Sequence, residues 1–251
     1  MLNEIAESCQ FLLKNYPEAK DCQQYLDSRL SKESQEKFGI GYFPNIKNIQ
    51  ALISLVGKDA LENKRLLYNR NIEDSLYPRR IVSCYFEDQP LMIPYKNSYG
   101  KVVGLVGRSL LSDAECKKNN ISKYKNTVFP KSRFLFGLFE NQQNILDKNS
   151  VYIVEGQFDV IKATEKGFNN IVGIGSANMS SYQFSVISRY TNNIFLLLDN
   201  DEAGNKGRKR IMDRFGSFAN IRNFYLPDTY KDVDQYLSCS SVEEMELIVK
   251  D

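Results

Sequence analysis

Apolar and polar positions follow two rhythms along the chain. Across residues 3–38 the apolar positions recur at helical spacing: Ile5, Cys9, Leu12 and Leu13 share one face, and Cys22, Tyr25, Leu26 and Leu30 share another. Pro17 is placed to open the second of these helices and Ser31 to cap a third. "GIGYFPN" interrupts the pattern, and two more short helices are expected to about Asn69. Runs of β character follow in "RIVSCYF", "PLMIPY" and "KVVGLVGRSL", with "KNSYG" as the turn between the last two. "SRFLFGLFENQQNIL" returns to helical spacing.

Beyond Asn149 the rhythm becomes regular. Strand "VYIV" precedes helix "FDVIKATEKG", strand "NIVGIG" precedes helix "SSYQFSVISRY", strand "NIFLLLD" precedes helix "EAGNKGRKRIMDRFG", and strand "IRNFYL" precedes "PDTYKDVDQYL". Strands that alternate with helices of 10–15 residues predict a parallel sheet covered on both faces. The strands are apolar throughout rather than alternating, as two-sided burial requires. The fold class expected is therefore α/β: an α+β N-terminal subdomain, residues 1–149, followed by an α/β subdomain with a mostly parallel sheet, residues 150–251.

Composition narrows the chemistry. The chain has 251 residues, 42% hydrophobic and 25% charged, a balance typical of globular domains. No apolar run approaches the roughly 18 residues of a membrane span. "MLNEIAESCQ" has no basic stretch leading into an apolar one, so the expected location is the cytoplasm and no membrane partner is expected. Five cysteines (Cys9, Cys22, Cys84, Cys116 and Cys239) form no C-x-x-C pair, and histidine is absent, which argues against zinc as a cofactor. Without histidine, Ser-His-Asp and Cys-His nucleophilic schemes are excluded. Catalysis must use carboxylates, lysine, tyrosine or a metal. Net charge is only +2, yet residues 101–133 hold eight basic side chains against two acidic ones, with Tyr124, Phe129 and Phe134 interleaved. From residue 228 onward the balance reverses, seven acids against Lys231 and Lys250.

Acids gather where the strands end. The first strand runs into Glu155, with Asp159 behind it; the third runs into Asp199-Asn200-Asp201; after the fourth come Asp232-Val233-Asp234. In open α/β sheets, sites form at the carboxyl ends of strands. Residues two apart in an extended segment point the same way, so Asp199 and Asp201 can face one point, as can Asp232 and Asp234. Six such carboxylates repel unless a cation neutralises them. Oxygen ligands alone favour Mg²⁺ or Mn²⁺, and magnesium sites act mostly on phosphates. The plainer reading of each acid is a helix N-cap, ordinary after a strand.

"EGQFD", "LLLDNDEAGNKGRKR" and "KDVDQYL" together resemble the TOPRIM domain shared by DnaG-type primases, topoisomerases and some nucleases. Upstream, "YLDSRLSKESQEKFGIGYFP", "IPYKNSYGKVVGLVGRSL" and "KYKNTVFPKSRFLFGLFE" look like the RNA-polymerase core of DnaG-type bacterial or phage primases, so the resemblance covers about residues 17–237. It implies that residues 1–149 form the basic subdomain and 150–251 the TOPRIM subdomain. By the same resemblance Glu155, Asp199 and Asp201 are the central, catalytic acids, and Asp159, Asp232 and Asp234 complete the metal-binding cluster. Arg108, Lys123, Asn126 and Lys131 fall where the family holds template and nucleotide phosphates. Tyr124 and Phe134 are read as core rather than as stacking platforms. Some positions depart from the pattern. The strand approach "EDQPLMIPY" lacks the family's arginines, with Arg79 and Arg80 nearby; Val106 stands for a glycine; Gly175-Ser176-Ala177 stands for G-T-A.

The activity implied is DNA-templated synthesis of short RNA primers by nucleotidyl transfer, with Mg²⁺ or Mn²⁺ as cofactor. The partners implied are single-stranded DNA template, ribonucleoside triphosphates, the RNA–DNA hybrid product, and a replicative helicase or a zinc-domain protein supplied in trans. The family's zinc-binding region has no counterpart here, so the resemblance implies a minimal or truncated primase, as in a phage or mobile element, or a fragment. Two alternatives stay open: a TOPRIM-type nuclease using the same acids, and a non-catalytic nucleic-acid-binding remnant. The basic upstream half argues for primase over nuclease.

Overall fold

A computed structural model of the chain describes residues 1–72, 79–241 and 243–245. The side chains of residues 71, 72, 79 and 80 lie outside that description, and Arg79 and Arg80 with them. In chain order the first elements are α1 (Leu2–Asn15), α2 (Lys20–Asp27), α3 (Lys32–Lys37), β1 (Gly41–Tyr42), α4 (Gln50–Val56), α5 (Lys58–Asn63), β2 (Leu67–Ile72) and β3 (Arg79–Cys84). Next come β4 (Leu91–Lys96), β5 (Val102–Arg108), α6 (Asp113–Lys118), β6 (Tyr124–Asn126) and α7 (Leu138–Lys148). The last are β7 (Val151–Val154), α8 (Gln157–Glu165), β8 (Ile171–Gly173), α9 (Ser181–Ile187), β9 (Asn193–Leu196), α10 (Glu202–Phe215), β10 (Asn220–Asn223) and α11 (Val233–Cys239). Among the described residues no helix is long and apolar enough to cross a membrane.

The chain divides into two compact units. The first comprises Met1–Ser28, Gly39–Tyr95 and Val102–Phe129. Its sheet has the order β1-β4-β5-β6, with Gly41 opposite Met92 and Val106 opposite Asn126 in antiparallel register. A separate hairpin pairs β2 with β3. Helix α1 buries Ile5, Cys9, Leu12 and Leu13, the face its spacing predicts.

The second unit comprises Arg29–Phe38, Lys96–Lys101 and Pro130–Asp251. Its sheet is parallel throughout, in the order β8-β7-β9-β10. Both faces are covered, and β7 is buried along its whole length. One face packs Val151, Ile153, Ile194 and Leu196 with Ile187 of α9 and Ile211 and Phe215 of α10. The other stacks Tyr152 against Phe168, Phe195 and Phe224, with ring centres 4.6, 5.0 and 6.1 Å apart. The strand order positions the site. The connection from β7 leads to β8 on one side, and that from β9 leads to β10 on the other. The gap between the carboxyl ends of β7 and β9 is therefore the topological switch point, where a crevice opens in sheets of this kind.

Three expectations are corrected. Residues up to about Asn69 are not helical throughout, because Leu67–Ile72 form strand β2 against β3. Helix α7 starts at Leu138 rather than near Ser132: Phe136 pairs with Gly173 as an isolated bridge, and Gly137 takes φ 78°, a left-handed conformation that ends the extended segment. Tyr124 is 40% exposed rather than core.

Candidate active site

Glu155 follows directly on β7, and Asp199 lies three residues past β9. The two meet because the parallel pairing of β7 and β9 sets Ile153 opposite Leu196. Oε1 of Glu155 accepts the backbone N–H of Asp199 at 3.3 Å. Asp201 is the N-cap of α10, its Oδ1 accepting the N–H of Gly204 at 2.9 Å. Asp232 is the N-cap of α11, its Oδ1 accepting the N–H of Gln235 at 2.8 Å. The N-cap reading and the cluster reading thus hold together: each cap uses one oxygen, and Oδ2 of Asp201 turns instead toward Lys231, 3.8 Å from its Nζ. Oδ2 of Asp199 lies 3.9 Å from the same ammonium, so the two aspartates do address one point.

Asp159 and Asp234 are placed differently. Asp159 is 6% exposed, and both its oxygens are engaged. Oδ2 accepts the N–H of Gly156 at 3.0 Å, closing the first turn of α8; Oδ1 accepts the N–H of Asp234 at 2.9 Å, tying α11 to α8. Oδ2 of Asp234 pairs with the Arg29 guanidinium, which also stacks over the Phe158 ring at 4.7 Å. Asp232 and Asp234 therefore take different partners rather than facing one point.

The crowding shows in the pKa values. Burial, reinforced by the charge of Asp232, pushes the Asp159 carboxyl up to about 7. Burial, then the charges of Glu155 and Asp232, pushes Asp199 up to about 7 as well, against the pull of Lys231. Glu155 is raised for the same reasons: burial first, with Asp201 and Asp159 adding repulsion and the Asp199 N–H opposing. Carboxyl groups whose pKa values burial and mutual repulsion raise together mark this strand edge as the candidate functional site.

Arg208, Asn200 and Lys231 are residues that the motif reading passed over. Arg208 is 2% exposed beneath the cluster. Its guanidinium donates to the carbonyls of Leu198 and Asp199 and to Asn205 Oδ1, and stacks on Tyr225 at 4.5 Å. It thus ties down the chain where Asp199 leaves β9. Helix α10 can come that close only because Gly204 has no side chain; a Cβ there would lie 2.1 Å from the Asp199 carbonyl. The signal was present in the spacing of Gly204, Gly207 and Arg208 on one helix, but a buried arginine looks like surface charge in a stretch this basic. Among the described residues no three acidic side chains close around a common point tightly enough to cage an ion unaided. Magnesium does not need such a cage: it keeps several waters and takes one or two carboxylates plus substrate phosphates. The oxygen-only donor set at the switch point fits that requirement.

The basic residues fall in both units. In the first, Arg108 is buried at 8% exposure, its guanidinium 4.9 Å from the Tyr25 ring centre and 5.6 Å from that of Tyr124. Lys123 donates to the Leu111 carbonyl and lies 3.4 Å from Asp113. Asn126 is exposed on β6, opposite Val106. Lys131 belongs to the second unit, half-buried in a single 3₁₀ turn, and burial lowers the pKa of its ammonium group.

Comparison with known proteins decides the family. The family profile described as DNA primase catalytic core, N-terminal domain, matches residues 10–142, more than half of the chain. The chain belongs to the DnaG-type DNA primase catalytic-core family. A Toprim-like profile matches residues 152–237, the parallel sheet with its acids. Toprim domains generally bind divalent metal ions. The DNA primase of Aquifex aeolicus is 27% identical over 249 residues, covering 96% of this chain and 47% of that protein. The DNA primase of Synechococcus elongatus is 30% identical over 241 residues, covering 91% of this chain and 33% of that protein. The chain thus spans less than half the length of these relatives. Among solved structures, the Escherichia coli primase catalytic core superposes with a TM-score of 0.79 at 26% identity, covering all of this chain and 80% of that one. A DnaG primase catalytic domain bound to single-stranded DNA superposes equally well, TM-score 0.79 at 25% identity, covering 99% and 81%.

Proposed function

We propose that this chain is a primase catalytic core, a DNA-directed RNA polymerase that joins ribonucleoside triphosphates into short primers on single-stranded DNA and leaves an RNA–DNA hybrid. The observation that carries the reading is the meeting of Glu155, Asp199 and Asp201 at the switch point between β7 and β9, with Asp232 at their side. The relatives named DNA primase and the related domain bound to single-stranded DNA support the substrate class. In family terms we assign the basic subdomain to residues 1–149 and the TOPRIM subdomain to 150–251, an assignment supported by the two profiles matching 10–142 and 152–237. A bacterial cytoplasm suits a protein of this kind, and a replicative helicase is its natural partner by family analogy alone.

Each side chain has its own part in this reading. Glu155, Asp199 and Asp201 are the catalytic acids and, with Asp232, present oxygens to the metal. Asp159 and Asp234 complete the metal cluster from behind, since their hydrogen bonds hold α8 and α11 at the distance that puts Asp232 beside Asp199. A bound Mg²⁺ or Mn²⁺ supplies stabilisation of the charge that develops on the triphosphate and lowers the pKa of the attacking 3′-hydroxyl. The raised pKa values suit such a site, because the acids stay protonated at low pH and ionise where a divalent charge is offered. Lys123, Asn126 and Lys131 supply contacts to template or nucleotide phosphates, which fix register without reading sequence. Arg108, buried against Tyr25 and Tyr124, backs the part of the first unit that carries Lys123 and Asn126.

Incubation with single-stranded DNA, labelled ribonucleotides and Mg²⁺ or Mn²⁺ tests the proposal. Template-dependent extension supports it. Cleavage of the DNA instead would make the chain a TOPRIM-type nuclease, and binding without either reaction would make it a non-catalytic module.

A further inference from the structure

Between Asp199 and Asp201 stands Asn200, and its contacts point to a device that no motif describes. Its backbone N–H donates to the Lys231 carbonyl at 2.8 Å. Its side-chain amide donates to the carbonyls of Leu226 at 2.8 Å and Tyr230 at 3.1 Å. One residue therefore clamps the whole 226–231 segment, whose own turn is closed by the Tyr230 N–H on the Pro227 carbonyl at 2.9 Å. The Lys231 N–H is held in turn by Gln235 Oε1 at 2.8 Å, from the first turn of α11. The backbone of Lys231 is thus fixed from both sides, and its side chain reaches back over the acids. Nζ stands 3.9 Å from Asp199 Oδ2 and 3.8 Å from Asp201 Oδ2. Both separations exceed a hydrogen bond, so the attraction is that of a point charge placed between two carboxylates. The side chain is 61% exposed, which leaves the flexible stem free to swing away.

We propose that Lys231 is a tethered counter-cation: in the metal-free protein its ammonium takes the place between Asp199 and Asp201 that a divalent ion needs, and on metal entry it yields that place and turns to the incoming triphosphate. It is a positioning residue, acting through the two aspartates, and this inference rests on the metal-dependent reading above. An ammonium in this place offsets part of the repulsion among the acids whenever no metal is bound. Glu155, Asp159, Asp199, Asp201 and Asp232 repel one another from the ends of β7 and β9 and the starts of α8, α10 and α11. Among the described residues the positive groups set against them are Arg208 beneath, whose guanidinium is spent on carbonyls, and Lys231 above. Only the second is open to solvent. This role also explains the clamp: Asn200 keeps the ammonium in reach while leaving it loose.

Lys231→Met keeps the stem and removes the charge; Lys231→Arg keeps the charge. Isothermal titration with Mn²⁺ alone, without DNA or nucleotide, should show Lys231→Met binding about three- to tenfold more tightly than the parent, the effect of removing one partly solvated charge near 4 Å. In EDTA its unfolding midpoint should fall by about 2–4 °C, since the acids lose their counter-charge. Primer synthesis should become half-maximal at lower metal concentration while the KM for nucleotide rises. Lys231→Arg should resemble the parent in all of these. Unchanged or weaker Mn²⁺ affinity in Lys231→Met, with clear binding by the parent, overturns the proposal and leaves the metal site standing. Equal Mn²⁺ binding by the parent and by Asp199→Asn overturns the metal site itself, and this proposal with it.

Discussion

Replacing Asp199 by asparagine should stabilise the metal-free protein and abolish its stabilisation by metal. The carboxyl of Asp199 is pushed up to about 7 by burial and by the charges of Glu155 and Asp232. In the unfolded chain it titrates at about 3.9. The folded acid therefore keeps its proton over a range where the unfolded one has lost it. Its contribution to stability is fully present below about pH 4 and is lost as pH rises through about 7. Three pH units correspond to about 4 kcal/mol, and discounting for solvent at a side chain still 18% exposed and for repulsion shared with Asp159 leaves about 2 kcal/mol. Asparagine has the same shape and no charge to lose. In EDTA at about pH 8, Asp199→Asn should unfold about 4–8 °C above the parent, and the gap should close by about pH 4. Magnesium should reverse the order: at hundredfold excess over its dissociation constant it adds about 2.7 kcal/mol to the parent and nothing to the variant. Thermal unfolding followed by circular dichroism at three pH values, with EDTA and with Mg²⁺, measures both effects. A variant less stable than the parent in EDTA at high pH, or stabilised by Mg²⁺ as fully as the parent, would refute the reasoning.

Because Asp199 must ionise beside the ion, divalent affinity should rise with pH up to about 7 and then level, with about one proton released per ion near pH 6; titrations in buffers of different ionisation heat count that proton. Gly204→Ala should cost about 2–3 kcal/mol of stability and weaken metal binding, because its Cβ would sit 2.1 Å from the Asp199 carbonyl and push α10 off the strand end; urea unfolding against Gly57→Ala, where φ is +79° but no atom lies within 4 Å, separates the clash from backbone strain. Lys123→Ala should weaken single-stranded DNA binding and reduce the slope of log affinity against log salt by about 0.7, one phosphate's worth of counterion release; an unchanged slope in fluorescence anisotropy would remove Lys123 from the proposed phosphate contacts.

How much of this was legible beforehand follows from which forces were local. β7 was readable to the residue, because a buried parallel strand is a continuous apolar run and Glu155 ends it. The start of α10 was readable too, since Asp201 is a strong N-cap and Gly204 follows three residues on. The meeting of Glu155 with Asp199 followed from the rule for parallel sheets, although the rule does not say which strands flank the gap. What could not be read was set by contacts distant in sequence. Strand β2, "LYNRNI", carries polar residues at both faces and becomes a strand only through its pairing with β3. The turn over 227–231 is fixed by Asn200, far away in sequence, whose amide binds the carbonyls of Leu226 and Tyr230. The partners of Asp159 and Asp234 were equally hidden: the tie between α8 and α11 and the pairing of Asp234 with Arg29 join residues far apart in sequence. Arg208 was hidden for the same reason: it is held by three carbonyls just past the ends of β9 and β10.

The central claim is that Asp201 serves the chemistry and not the grip on DNA, and one substitution tests it most directly. Asp201→Asn retains an oxygen for the Gly204 N–H, so α10 keeps its cap, and it removes a negative charge from the switch point. Incorporation of labelled ribonucleotides on a single-stranded template with Mg²⁺ should fall by about two to three orders of magnitude, the loss expected when stabilisation of transition-state charge is removed. Binding of the same template by the same preparation should hold or tighten. Normal incorporation by Asp201→Asn, or a loss of incorporation matched by an equal loss of template binding, would contradict the account.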